Sequence, residues 1–429
     1  MTDLELGIRL FLQLAVVLLA CRVVGWLGRF FGQTQVVSEM ICGVILGPSL
    51  FGALAPAAQG FLFPRVMEIA QNGVTVTAKH PSMQILYAMS QVGLVLYMFL
   101  VGLEFDLNLI RKRALGAVSV SIAGILFPFV LGWALGVWVL FPRGDSFTEN
   151  VVPWQAGLYL GAAMCITAFP MLARIIYEKG IAKTSMGTLA LGAGATDDAV
   201  AWGMLAVVLS SFRGDATIAM KALGGAAVFA VLTLTLGRRL LERILAPALK
   251  SGTLTPIAFG IVLTYLMFCA WYTDVIGIYA VFGAFLAGAS MPRGVVQEWV
   301  ETRVGPLTTT LLLPLFFIYS GLNTKISLVD SWELWGVTAL ICVAAIVGKG
   351  VACTLAAKAA GEPWREATAI GTLMNARGLM ELIILNIAYE AGLITQLLFT
   401  MMVIMAIVTT LMASPLFQRI YYGPKTASA

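Results

Sequence analysis

Apolar runs of about seventeen to twenty-five residues, long enough to cross a bilayer as helices, recur thirteen times along this chain. They fall at about 5–27, 34–52, 83–103, 113–141, 154–176, 184–212, 217–238, 254–272, 276–291, 304–322, 334–357, 366–390 and 395–418. Short polar connections separate them, so the pattern predicts an all-α polytopic membrane protein with one transmembrane domain filling residues 1–429. The second and ninth runs are short and glycine-rich. Residues 53–82 form the one long connection, and its FLFP turn, Phe61–Pro64, suits a re-entrant or surface segment. No soluble regulatory domain is expected after the last run, since the sequence stops at Ala429.

Composition agrees. The chain is 60% hydrophobic and 11% charged, with a mean hydropathy of +0.92, well outside the soluble range. The first run is too long for a cleaved leader and lacks a small-residue cleavage site. Cys21, Cys42, Cys165, Cys269, Cys342 and Cys353 all sit in apolar runs without ligand-like spacing and read as small hydrophobes. His80, the single histidine, is expected to be a solvated loop residue and cannot build a metal site alone. The net charge of +5 is scattered over short loops and offers no nucleic-acid patch. The ten tryptophans and nineteen methionines read as lipid-facing anchors and packing rather than as a cofactor box.

The charges also set an orientation. Alternate loops beginning after the first run hold 18 lysines and arginines, among them Arg111–Arg113, Lys183 and Lys425, against 6 on the other side. By the positive-inside rule the N-terminus is expected outside and the C-terminus inside. An internal echo accompanies this bias. GVILGPS (Gly43–Ser49) in span two is echoed by GAFLAGAS (Gly283–Ser290) in span nine. FLVGLEFD (Phe99–Asp106) after span three is echoed by FIYSGLNTK (Phe317–Lys325) after span ten. Both pairs are offset by seven helices, an odd number, which predicts inverted-topology repeats linked by span seven.

The same offset pairs span five with span twelve. Span five contains CITAFPML, where Pro170 removes a backbone donor and releases carbonyls near Thr167. Span twelve contains MNARGLMEL, with Asn375, Arg377, Gly378 and Glu381 inside an apolar helix. Two broken helices at corresponding positions would bring carbonyls and helix dipoles to the bilayer midplane. Arg377 and Glu381 are spaced to pair on one helix face. Glu39 and Glu104 read as helix-end or interfacial carboxylates.

The boldest feature is GATDDAVAW, Gly194–Trp202, which places two adjacent aspartates in an apolar run. A charge at that depth costs about 3 kcal/mol or more, so such residues face protein or water and usually work. Neighbours on a helix diverge by about 100°. Asp197 and Asp198 can therefore meet different partners. Lys349, alone in span eleven between Gly348 and Gly350, is the natural partner for one of them. The other is left to bind a cation or a proton, because burial favours the protonated form of a carboxyl group. A carboxylate that trades a proton for a metal ion is a minimal exchange site.

These stretches, together with VVSEMICGVILGPSLFG, LYMFLVGLEFDL, ITAFPMLARI, LPLFFIYSGLNT, VGKG and LMNARGLMELIILNIAYEAGLI, resemble the monovalent cation:proton antiporters of the branch holding the Kef-type bacterial proteins and plant CHX exchangers. The resemblance runs from Val36 to about Ile394. It implies thirteen helices with the broken fifth and twelfth crossing, and a homodimer whose core moves like an elevator. The core would be about 113–212 and 334–418, the dimerisation scaffold about 5–103 and 254–322, and the linker about 217–238. It further implies that Asp198 binds the cation and the proton, that Lys349 pairs with Asp197, and that Thr167 offers an oxygen ligand. Arg377, with Asn375 and Glu381 beside it, would hold the core together. Position 197 is Asn in many electroneutral relatives and Asp in many electrogenic ones, so this chain departs from its CHX-like relatives there.

The expectation is a transporter and not an enzyme: Na⁺ or K⁺ exchanged for H⁺, with no cofactor, in a bacterial plasma membrane. The runner-up, a Kef-like potassium efflux channel, would want a continuous pore with a filter. An intramembrane aspartyl protease would want its two aspartates on facing helices.

Overall fold

The computed structural model describes residues 3–31, 33, 35–71, 74–104, 114–181, 184–213, 216–277 and 279–423. Asp106, Arg111–Arg113, Lys183 and Lys425, on which the charge bias and one echo draw, lie outside the described residues. The main helices, in chain order, are α1 (Asp3–Phe30), α2 (Gln35–Leu46), α3 (Pro81–Glu104), α4 (Ala114–Leu135), α5 (Pro153–Cys165), α6 (Phe169–Glu178), α7 (Ser185–Arg213) and α8 (Ala216–Leu232). There follow α9 (Pro256–Val275), α10 (Ala280–Ala289), α11 (Val295–Leu307), α12 (Leu313–Leu322), α13 (Trp332–Ala359), α14 (Trp364–Met374), α15 (Leu379–Glu390) and α16 (Gln396–Tyr421). Among the described residues, nine helical stretches are long and apolar enough to cross a membrane by length and composition. Trp26, Trp138, Trp271 and Trp332 are exposed; apolar surface of that kind suits lipid, not water.

Helix starts follow local chemistry. Thr255, Ser331 and Thr395 cap α9, α13 and α16, each side-chain oxygen accepting from the backbone N–H three residues on. Pro256 then opens α9, where a missing N–H costs nothing.

The long connection after α2 is not a featureless loop. It forms two short helices, Phe51–Leu54 and Pro56–Leu62, and then an antiparallel hairpin of β1 (Val66–Gln71) and β2 (Val74–Lys79), with Val66 opposite Lys79. The β-branched run VTVT and the intervening Asn72-Gly73 carried that signal in sequence. The hairpin departs from an otherwise helical fold. His80 follows it and is buried, contrary to the solvated loop position expected, because it packs against Ser82 and Arg9. Glu39 also differs from expectation. It is buried inside α2 rather than at a helix end, and it accepts a 3.0 Å hydrogen bond from Gln35 Nε2. Glu104 is exposed at the end of α3.

The chain divides into two compact units, each assembled from separated stretches. One comprises Met1–Phe105 and Ala226–Lys325; the other comprises Asp106–Gly225 and Ile326–Ala429. In the first unit the echoed segments pack crosswise. A Cβ on Gly43 or Gly321 would overlap the backbone of the facing helix, and so would one on Gly102 or Gly288. Thus α2 meets α12, and α3 meets α10, each at a pair of glycines. A two-fold operation that exchanges the echoed helices maps one contact onto the other. Val17, Cys21, Cys42, Leu86 and Ile318 form an apolar core beside that seam.

In the second unit α4 is the central helix, packing on α5, α7 and α13. Both predicted interruptions occur here. Helix α5 ends at Cys165 and α6 resumes at Phe169; α14 ends at Met374 and α15 resumes at Leu379. Pro170 is the second residue of the resumed helix rather than the break, a position where its absent N–H is harmless. Gly378 sits where the second break closes.

Candidate functional site

A broken helix leaves carbonyls without their usual donors, and the accounting of those groups defines the site. At the end of α5, Lys349 Nζ donates to Cys165 O, Arg377 Nη2 to Met164 O at 2.6 Å, and Arg377 Nη1 to Ala163 O at 3.2 Å. Two cations therefore close the negative end of one helix dipole. At the end of α14, Asn375 N reaches Thr372 O and Ala376 N reaches Leu373 O, while Asn375 Nδ2 donates to Gly371 O at 3.1 Å. The breaks join directly: Ala168 N donates to Ala376 O at 3.1 Å. Thr167 Oγ1 lies 3.4 Å from Met374 O.

Asp197 and Asp198 stand beside this junction on α7, both buried, at 1% and 3% exposure. Their surroundings differ completely. Asp197 Oδ1 accepts from Ser121 Oγ at 2.6 Å, and Oδ2 accepts from Thr167 Oγ1 at 2.6 Å and Lys349 Nζ at 2.8 Å. Lys349 is wholly buried. Three donors, one of them cationic, satisfy the Asp197 carboxylate: Ser121 from α4, Lys349 from α13 and Thr167 from the break between α5 and α6. Asp198 Oδ1 is buried with no hydrogen-bond partner among the described residues. An acceptor left bare in an interior is costly unless a proton, water or cation reaches it.

The glycines around Lys349 allow this approach. A side chain on Gly348 would press on Pro128 and Leu131 of α4, and one on Gly350 would meet Asn375 Nδ2. Gly124 on α4 faces the lysine stem, with Lys349 Cε 3.7 Å from where its Cβ would be. Arg377 is equally enclosed. Besides the two carbonyls it pairs with Glu381 Oε2 at 3.2 Å, and its backbone N–H donates to Thr410 Oγ1 at 3.2 Å.

The structure thus brings Asp197, Thr167 and Lys349 into one bonded cluster and joins Arg377 to Glu381. The Thr167 hydroxyl is engaged as a donor to Asp197. Sequence reasoning missed Ser121 and Thr410, since a single hydroxyl in an apolar helix bonds most often to its own backbone and carries no signal of a distant partner.

Comparison with known proteins bears on what this arrangement is for. The family model described as "Sodium/hydrogen exchanger, transmembrane" matches residues 3–420. The chain is 39% identical to the Na⁺/H⁺ antiporter NhaS4 of Synechocystis, over 96% of this chain and 97% of that one. It is 31% identical to K⁺/H⁺ antiporter 1 of Saccharomyces cerevisiae over 95% of its own length, which spans 46% of that longer relative. Its fold matches the sodium proton antiporter NhaP1 of Methanocaldococcus jannaschii with a TM-score of 0.61 at 11% identity, over 97% of this chain and 98% of that one.

Proposed function

This chain belongs to the sodium/hydrogen exchanger transmembrane family, and from that premise we propose that it is a secondary antiporter exchanging Na⁺ or K⁺ for H⁺ across a bacterial plasma membrane. Asp198 is the exchanging carboxylate. The observation that carries this assignment is the contrast between two neighbours: Asp197 has every oxygen engaged, whereas Asp198 keeps a bare buried one. In one loaded form that oxygen holds a proton; in the other the cation displaces it. Binding of one ligand therefore expels the other.

Asp197 and Lys349 form the fixed part of the site. Their pair keeps the crossing of the broken helices closed and prevents Lys349 from neutralising Asp198 instead. Thr167, already bonded to Asp197, still has oxygen lone pairs to offer an arriving cation. Arg377, Glu381 and Asn375 brace the junction. The transported ions are substrates, and no further cofactor is part of this reading.

An elevator-like alternating-access mechanism is supported by the division of the chain into two compact units. The second unit, containing the broken helices, is read as the moving core. The first, with its close glycine seam, is read as the scaffold of a homodimer, with the N-terminus outside and the C-terminus inside.

The test is purified protein in proteoliposomes, with internal pH followed as Na⁺ or K⁺ is added outside. Wild type should move protons against the cation, and Asp198→Asn should not, while remaining folded and dimeric. Normal exchange by that variant would end the assignment.

A further inference from the structure

The interruption of α14–α15 holds a second group of buried polar atoms that the exchange site does not use. Arg377 spends Nη1 and Nη2 on Ala163 O, Met164 O and Glu381 Oε2. That leaves Arg377 Nε, Glu381 Oε1 and the Tyr159 hydroxyl, all buried and without a hydrogen-bond partner among the described residues. These atoms belong to residues that are neighbours. Tyr159 precedes Ala163 by one turn of α5, so both lie on the face that Arg377 approaches. Arg377 Nη1 links that face to Glu381, bonding Ala163 O and Glu381 Oε2.

One bare buried polar atom is an exception in a folded protein; three together mark a place for water, which needs two to four polar partners. The Tyr159 ring packs edge-on against Phe147, with centroids 6.3 Å apart. Phe147 belongs to the connection that includes exposed Gly144, Glu149 and Asn150. That connection is strapped to the turn before α16 by Thr148 Oγ1 on Gly392 O at 2.8 Å and Thr395 N on Ser146 O at 3.1 Å. An aromatic ring separates the bare cluster from a polar surface segment.

We propose that Tyr159, Glu381 and Arg377 form a hydrated proton-binding node, at which Glu381 takes up and releases a proton separately from Asp198. Glu381 Oε1 gains a proton from a hydronium ion, forming an O–H bond and leaving water; release is the reverse. Arg377 keeps its charge and its hold on the α5 carbonyls throughout. Of the titratable and charged groups around Glu381, Arg377 is in contact with it, and Tyr159 on α5 and Cys342 and Lys349 on α13 lie within electrostatic range. On α16 Thr410, which does not titrate, bonds the backbone of Arg377. Arg377 is the only one of these bonded to the carboxylate, and it reaches one oxygen. Protonation of the other therefore breaks no existing bond.

This inference leans on the antiport reading for its consequence in transport, but the proton itself can be read without transport. Infrared difference spectra of the full-length protein in lipid, recorded as pH is varied, should show a protonated-carboxyl band. Asp198 contributes one component of it and Glu381 a second; the second should be lost in Glu381→Gln and kept in Asp198→Asn, where the first disappears. In this node the Tyr159 hydroxyl reaches the ionised carboxylate through the bridging water, so Tyr159→Phe should raise the midpoint of the Glu381 component by about one pH unit, a tenfold change in proton affinity. In proteoliposomes the same two variants should shift the pH profile of exchange. An identical band in Glu381→Gln, or exchange merely scaled down with an unmoved profile, would reduce Glu381 to a brace and overturn the proposal. If Glu381→Gln does not fold, an unmoved midpoint in Tyr159→Phe overturns it equally. Wild-type protein that shows the Glu381 component but no exchange would sink the antiport reading and leave the node standing.

Discussion

Lys349 is the residue on which most depends, since it is fully buried and its ammonium reaches both Asp197 and the end of α5. Removing one partner of a buried ion pair strands the other, at a cost of about 3–5 kcal/mol. Lys349→Ala should therefore unfold well below wild type in a thermal-melt assay in detergent, and Lys349→Arg should recover part of the loss. Equal melting of Lys349→Ala and wild type would show the pair to be dispensable. His80 gives a pH-dependent counterpart outside the membrane-spanning helices. Burial first, and then the Arg9 guanidinium 3.3 Å from Nε2, push its imidazole below the ordinary value of 6.5. The folded protein thus prefers neutral His80, and its contribution is full above 6.5 and lost as pH falls through the lower folded value. Wild type should lose melting temperature on acidification through that window, and His80→Gln should lose less.

At the level of helices, the crossing of α2 with α12 is fixed by the absence of side chains. Gly321→Val would drive a branched side chain into the backbone at Gly43, and overpacking of this kind costs about 1–3 kcal/mol. Gly305 on α11 is a matched control, because a Cβ there meets nothing within 4 Å. Gly305→Ala should be neutral or slightly stabilising, as alanine exceeds glycine in helix propensity by about 1 kcal/mol. A melt comparison of the two variants separates close approach from simple propensity. The glycine-rich echoes that flagged this seam were visible in sequence, but which helix met which was not. Similar segments need not touch, and here α2 packs on α12, the echo of α3, and α3 packs on α10, the echo of α2. The break in α5 was likewise legible from Pro170 and was placed slightly late. Proline tolerates the first turn of a helix, so the interruption falls just before it.

For the molecule as a whole, the antiport reading ties cation binding to proton release. Addition of Na⁺ or K⁺ to weakly buffered protein should release protons from wild type and release markedly fewer from Asp198→Asn. A tenfold rise in proton concentration should raise the apparent KM for the cation by up to about tenfold, as expected for competition at one carboxylate. An apparent KM independent of pH would place the two ions at separate sites. Native mass spectrometry should find the protein as a homodimer, and Asp198→Asn should leave that state unchanged.

Thirteen apolar runs, two matched interruptions and a pair of aspartates opposite a lone lysine are properties of the chain's order. Hydrophobic length and the cost of buried charge act on every residue regardless of its neighbours, so these features were determined before folding. The division of labour between Asp197 and Asp198 was not. Two identical side chains, adjacent in sequence, became different only because two helices and a helix break deliver Ser121, Lys349 and Thr167 to the same carboxylate. The same holds for His80, Glu39 and Tyr159, whose burial depends on distant parts of the chain. Local pattern assigns residues to helices; only the packing of those helices decides which polar atoms find partners and which are left bare to bind an ion.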